Sequence, residues 1–284
     1  VVFGLNYGGT SVALNGCIND AHNMGEFIRN HLQFPCDVYT DDNEQGALNT
    51  TAQGFTCRLH ELAIKTFTEN LDVAYIHYSG HGDNVADEPP DVRRSPVIDD
   101  EVAGRGVDGK VEDDGFDNGF IGEEEDGKDE ALIPSDFDAH GRAITDDIIF
   151  EIIQQMNPKT QVVFVFDCCH SGTMADLEYT WTSDGRAQAS RYGKPTGAKV
   201  LTLSACTDAQ VALDVFNVGN DNVYRGALTT CLTDVITTNP ELCDDVFAML
   251  RAVEAALRKH GFPQTTTLSS SYDLSLDRAF LRVR

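Results

Sequence analysis

Basic residues are scarce in this chain. It has 21 Lys and Arg against 46 Asp and Glu, a formal charge of -25 at neutral pH. An excess of that size repels phosphate backbones and anionic lipid, so neither nucleic acid nor a membrane surface is an expected partner, while cations and basic substrates are favoured. No stretch of about 18 apolar residues occurs, so a transmembrane helix is not expected. No C-x-x-C pair occurs either, which leaves the eight cysteines without the spacing typical of structural zinc. Several of them lie in apolar runs, where free buried thiols are ordinary, and they fit a reducing, cytoplasmic setting better than a disulfide framework. No signal or transit peptide pattern opens the chain, and it starts inside a strand-like run without Met, so a preceding segment is expected to be out of view.

What is present centres on Gln161 to Gly172, read as Gln-Val-Val-Phe-Val-Phe-Asp-Cys-Cys-His-Ser-Gly. Val162 to Phe166 has the continuous apolar, β-branched and aromatic character of a strand buried on both faces. Beyond the carboxyl end of such a strand lies the usual place for chemistry in an open α/β sheet, and two thiols stand there. A nucleophilic thiol needs a base. Leu71 to Tyr78 is a second strand-like run, and it ends in Ser79-Gly80-His81-Gly82, whose glycines permit a tight turn and close backbone approach around His81. His81 and Cys169 are 88 residues apart, so only the fold can unite them.

Read in order, Val1 to Tyr7 is a strand, Ala21 to Leu32 a helix, Cys36 to Thr40 a short strand, and Thr51 to Asn70 a helix with Phe55, Leu59, Leu62, Ala63 and Phe67 as its core stripe. Asn19 and Asp20 read as helix N-caps. Residues 83–130 hold 18 acids and 5 bases with almost no apolar periodicity, the composition of a solvated or disordered insertion without its own core. Asp114, Asn118, Gly119 and Glu125 fall at EF-hand spacing there, but Phe116 occupies a ligand position and no flanking helix is expected, so an EF-hand is disfavoured. Thr145 caps an expected helix from Ile148 to Met156, with Asp146 and Asp147 at its positive end. Glu178 to Gly197 reads as a polar connection, Lys199 to Ser204 as a buried strand, 225–238 and 243–259 as helices, and Gln264 to Asp273 as a polar closing stretch. Strands alternating with helices indicate an α/β fold around a wound parallel sheet.

The segments His77-Tyr78-Ser79-Gly80-His81-Gly82 and Asp167-Cys168-Cys169-His170-Ser171-Gly172, in this order, resemble the histidine and cysteine motifs of metacaspases. Ser204 to Gln210, Gly226-Ala227-Leu228-Thr229 and Gln264 to Ser271 resemble later segments of the same family. The resemblance implies a caspase-like fold, a mostly parallel sheet with helices on both faces, in a single domain. In that scheme 1–177 is the larger part with the acidic insertion 83–130, 178–198 the connection and 199–284 the smaller part. The short connection is similar to type I members. It implies a cysteine endopeptidase with Cys169 as nucleophile, His81 as general base and amides at Cys169 and Gly82 as oxyanion donors. It also puts Cys17 and Asp20 in a specificity pocket, which Asp167, directly under the nucleophile, and Ser79 are expected to line as well. The charges of Asp20 and Asp167 favour a guanidinium or ammonium group, hence cleavage after Arg or Lys and not after Asp.

Calcium activation is implied as well, with ligands on Asp129, Asp146, Asp147 and Asp176, hard oxygens suited to that ion. From the residues alone, Asp146 and Asp147 read equally as helix-terminal acids and the others as solvated. Asp117 competes with Asp129 for the same motif. Self-processing is expected at exposed bases such as Arg93, Arg94, Arg186, Arg191 or Lys194, and the resemblance leans towards a monomer. Two other classes remain open, a non-catalytic caspase-like interaction module and an acidic calcium buffer.

Overall fold

In the computed structural model, which describes residues 1–284 apart from 87–127, 170–173, 191–192, 206–213, 217–223, 263 and 282–284, the apolar run at 162–166 lies in the middle of a sheet. The chain opens with β1 (Val2–Gly4), α1 (Cys17–Asn30), β2 (Val38–Thr40), α2 (Glu44–Thr50), α3 (Ala52–Thr68) and β3 (Val73–Ser79). There follow β4 (Gly82–Ala86), β5 (Lys128–Leu132), α4 (Phe137–His140), β6 (Ile144–Thr145), α5 (Asp146–Gln154) and β7 (Gln161–Asp167). The remainder is β8 (Tyr179–Trp181), β9 (Ala187–Ala189), β10 (Lys199–Ser204), β11 (Asp214–Phe216), β12 (Tyr224–Gly226), α6 (Ala227–Thr238), a 3-10 turn at Pro240–Asp244, α7 (Val246–Lys259) and β13 (Thr267–Ser270).

Eight strands form the central sheet in the order β2-β1-β3-β7-β10-β13-β8-β9. The first five run parallel, and β13, β8 and β9 extend the sheet antiparallel. Side-chain alternation along β7 builds two cores. Val163 and Val165 pack with α1, α6 and α7, whereas Val162, Phe164 and Phe166 pack with α3 and α5. A strand buried on both faces needs apolar residues at every position, which is why its sequence shows no period of two.

Several expectations shift. α1 begins at Cys17, so Asn19 and Asp20 are inside its first turn and not caps, and Asp20 is buried. Phe67 is 52% exposed and leaves the stripe, where Thr66 is buried instead. The short helix α2 was not expected; Asn43 starts it by accepting a hydrogen bond from the Gly46 amide at 2.8 Å. The polar connection contains the β8–β9 hairpin, and the polar closing stretch contains β13. The insertion is ordered at both ends, where β4 pairs with β5. Its interior, with Arg93, Arg94, Asp117 and the EF-hand-like spacing, lies outside the described residues, as do His170, Arg191 and Cys206.

Candidate active site

The two motif-bearing turns meet because of strand register. β3 and β7 are parallel neighbours with Ser79 opposite Asp167, and His81 and Cys169 each follow two residues later. Gly82 confirms the contact from the backbone: a Cβ there would lie 2.1 Å from the Cys169 carbonyl oxygen and 3.3 Å from the Cys168 sulfur. Close approach, not an unusual φ, is what requires glycine at this position. Of the two adjacent thiols, Cys168 is buried and Cys169 is half-buried, as alternation beyond a strand demands.

The imidazole is held by the chain that follows β1. His81 Nε2 lies 2.7 Å from the Val12 carbonyl oxygen, which can only accept, so this nitrogen carries the proton in the neutral ring and Nδ1 carries the lone pair. The His81 peptide is gripped as well. Its amide donates to Tyr7 Oη at 2.9 Å, and its carbonyl accepts from Tyr78 Oη at 2.7 Å and from the Ile133 amide at 3.1 Å. That last bond sets the phase of the β4–β5 ladder and makes Gly82 and Leu132 a pair without mutual hydrogen bonds, so the Gly82 amide is not engaged by Leu132.

Beneath this rim the proposed pocket residues converge. Ser79 Oγ donates to Asp20 Oδ2 at 2.8 Å, and the Gly226 amide lies 2.8 Å from both Asp20 oxygens. Asp167 accepts the Thr229 amide at 2.8 Å, and Asp20 and Asp167 are 1% and 4% exposed. Both carboxylates therefore face the first turn of α6, where free amides and the positive end of the dipole favour negative charge. A Cβ on Gly226 would come within 2.2 Å of Asp167 Oδ2 and 2.7 Å of Asp20 Oδ2. Cys17 is also buried, and its amide donates to Asn6 Oδ1 at 3.0 Å. Also in this region, His77 Nε2 is 2.8 Å from Thr229 Oγ1, and burial pushes the imidazole down to about 3.

A second acidic group gathers around the start of α5. Asp129 and Glu130 on β5, Asp146 on α5 and Asp176 after β7 are all buried, and Asp147 is partly so. Burial, with the charges of Asp176, Glu130 and Asp129, pushes the Asp146 carboxyl up to about 10. Asp146 Oδ2 has no hydrogen-bond partner among the described residues. Asp176 holds a left-handed backbone, φ 46°, unusual for a residue with a side chain. Between Asp147 and Asp176 lies the ammonium of Lys194, at 2.8 and 2.7 Å, and it also stands 5.3 Å from the centre of the Phe150 ring. Among the described residues no three acidic, His or Cys side chains are drawn together as a preformed metal cage. The donor set nonetheless fits a hard cation, being all oxygen, including the buried Asp146 Oδ2 that has no hydrogen-bond partner among the described residues, and already hosting one positive group.

Sequence reasoning named the two motifs and the acids but missed their partners. Tyr7 and Val12 carry no motif of their own, Tyr78 lies inside the histidine motif without any sign of what its hydroxyl holds, and Lys194, by composition an exposed cleavage candidate, has a side chain only 14% exposed. Gly226 stands in a segment that carries the family resemblance but shows no role of its own in sequence. Glu130, beside Asp129, is indistinguishable in sequence from the solvated acidic run it closes.

A caspase-domain family model matches residues 1–276. Metacaspase-2 of Trypanosoma brucei brucei is 27% identical over 292 residues, covering 98% of this chain and 74% of that protein. Metacaspase-1 of Kluyveromyces lactis is 28% identical over 241 residues, covering 84% of this chain and 46% of that protein. Among solved structures, protein GSU0716 from Geobacter sulfurreducens superposes with a TM-score of 0.61 at 19% identity, covering 100% of this chain and 99% of that one, a likeness of fold alone.

Proposed function

This chain belongs to the caspase-domain family of cysteine peptidases, with metacaspases as its relatives, and from that premise we propose that it is a calcium-activated endopeptidase that cuts after Arg or Lys through a Cys169/His81 dyad. The observation that carries the reading is the register of β3 against β7, with Gly82 seated on the Cys169 carbonyl. With Nε2–H held by Val12, Nδ1 takes the Cys169 proton and the thiolate attacks the scissile carbonyl carbon. The tetrahedral oxyanion is received by amides of the Cys169 turn and Gly82. His81 then protonates the departing amine, and water, deprotonated by the same ring, releases the acyl group and restores the thiol.

Selectivity for a basic side chain follows from Asp20 and Asp167, two buried carboxylates converging on one glycine, with Ser79 and Cys17 beside them. An acidic side chain would meet like charge there. Asp129, Asp146, Asp147 and Asp176 would hold calcium, which when bound supplies positive charge to the group and ties β5, α5 and the segment after β7 together. Asp147 and Asp176 would then exchange Lys194 for the ion. Lys194 and Arg186 remain the described candidates for self-processing, and Arg186 is the more exposed of the two, at 79%.

The test is hydrolysis of fluorogenic Arg, Lys and Asp peptides with and without calcium, alongside Cys169→Ala and His81→Ala. Turnover of the basic peptides alone, dependent on calcium and abolished in both variants, is expected. A bare interaction module gives no turnover, and a buffer binds calcium without turnover. Mass spectrometry of the calcium-treated chain against Cys169→Ala reads self-processing.

A further inference from the structure

The geometry points to Tyr7 as the positioning residue of the His81 imidazole, an inference that rests on the dyad reading above. Tyr7 has φ 51°, a left-handed backbone that is unfavourable for a bulky residue. Something must hold it there. Asp41 accepts the amides of Asn6 and Tyr7 on its two oxygens, at 2.9 and 2.6 Å, and the Tyr7 carbonyl accepts from the Thr10 amide and hydroxyl at 3.1 and 2.8 Å. The turn thus bound directs the Tyr7 ring to 4.8 Å from the His81 ring, tilted by 35°.

Its hydroxyl replaces half a rung of a sheet. At the mouth of the β4–β5 hairpin the Ile133 amide donates directly to the His81 carbonyl, but the return bond is relayed: the His81 amide donates to Tyr7 Oη, which donates to the Ile133 carbonyl at 2.7 Å. The phenol is therefore a spacer that sets how far His81 stands from the neighbouring strand. Tyr78 Oη, 2.9 Å from Tyr7 Oη, clamps the carbonyl of the same residue. Gly80 must be glycine because a Cβ there would fall 2.5 Å from one phenol oxygen and 2.8 Å from the other. Burial raises both phenols well above their ordinary range, so they remain neutral hydroxyls wherever the enzyme works.

Two separable effects follow. The hydroxyl fixes the His81 peptide, and the ring offers an aromatic face to the imidazolium that forms when Cys169 gives up its proton. Tyr7→Phe keeps the face and deletes the spacer, and kcat should fall about tenfold with KM within about twofold, the signature of lost orientation. Tyr7→Leu deletes both, and kcat should fall about a hundredfold, with Cys169 becoming alkylable only at higher pH because the thiolate has lost part of its counter-ion's support. Iodoacetamide labelling of Cys169, resolved by peptide mapping across pH, reads this without any peptide substrate. Asp41→Asn, which loosens the turn while leaving the ring in place, should move both readouts in the same direction by less, and serves if the Leu variant fails to fold.

In a His81→Ala background, Tyr7→Leu should change Cys169 labelling no further. Phe and Leu variants that keep both kcat and the labelling profile of the parent overturn the assignment, as does a Leu effect of equal size without His81. Retained peptide turnover in Cys169→Ala or His81→Ala would instead remove the dyad itself, so the two failures are distinguishable.

Discussion

Among the described residues, two groups of carboxylates are neutralised differently. Asp20 and Asp167 take backbone amides from the first turn of α6, donors that cannot leave. Asp147 and Asp176 take a lysine ammonium on a flexible stem, and Asp146 beside them keeps an oxygen without a partner among the described residues. Fixed dipoles make a rigid floor, suited to selecting a cation that comes and goes with substrate. An ammonium can be exchanged for another cation, which suits a regulatory position. On the proposed reading, the same residue type would serve selection in one place and switching in the other, according to what faces it.

The largest effect expected from testing this contrast is at Gly226. Gly226→Ala drives a methyl against both Asp20 and Asp167, and a loss of about 3 kcal/mol in chemical denaturation, with loss of basic-peptide hydrolysis, is expected. Parent-like stability would show that the floor is not rigid. Next comes Asp20→Asn, which keeps hydrogen-bonding capacity toward Ser79 and the Gly226 amide but removes charge. Hydrolysis of an Arg peptide should drop about a hundredfold in kcat/KM, and that of its neutral citrulline counterpart much less. Equal losses for the two peptides would move selectivity elsewhere. Asp20→Ala is the poorer probe, since it also strands the buried Ser79 hydroxyl and Gly226 amide.

A smaller effect is expected at the exchangeable group. Lys194→Gln removes the resident ammonium, and calorimetric calcium affinity should rise about tenfold; unchanged or weaker binding would separate Lys194 from the ion's place. The smallest concerns His77, whose neutral ring is paired with Thr229. Its folded pKa lies below its unfolded one, so the unfolded chain binds more protons and stability is lost as pH falls from about 6.5 towards about 3. His77→Gln should make acid unfolding less steep across that window, and an unaltered slope would mean that carboxylates alone set it.

How much of this was legible depends on whether the signal is local. β7 and β10 stood out because strands covered on both faces are apolar throughout, and the His81 and Cys169 turns stood out because each motif is contiguous. β13 was hidden because its serines face a covered sheet position: Ser269 and Ser270 are buried, and the Trp181 indole donates to Ser270 Oγ. The ion pairs of Lys194 join residues 18 and 47 positions apart, which no periodicity announces. Tyr7 was the least readable, since neither its left-handed backbone nor the Asp41 carboxylate that secures it leaves a trace in neighbouring residues beyond the Gly8-Gly9 turn signal.

The alternation that buries Cys168 and half-exposes Cys169 has a practical consequence for labelling chemistry. Among the described thiols, a covalent warhead meets open sulfur at Cys57 and partly open sulfur at Cys36 and Cys169, and burial raises the Cys36 thiol so that it stays protonated and slow. A Cys57→Ser background would therefore leave the rim thiol, among those described, as the principal target for activity-based tagging.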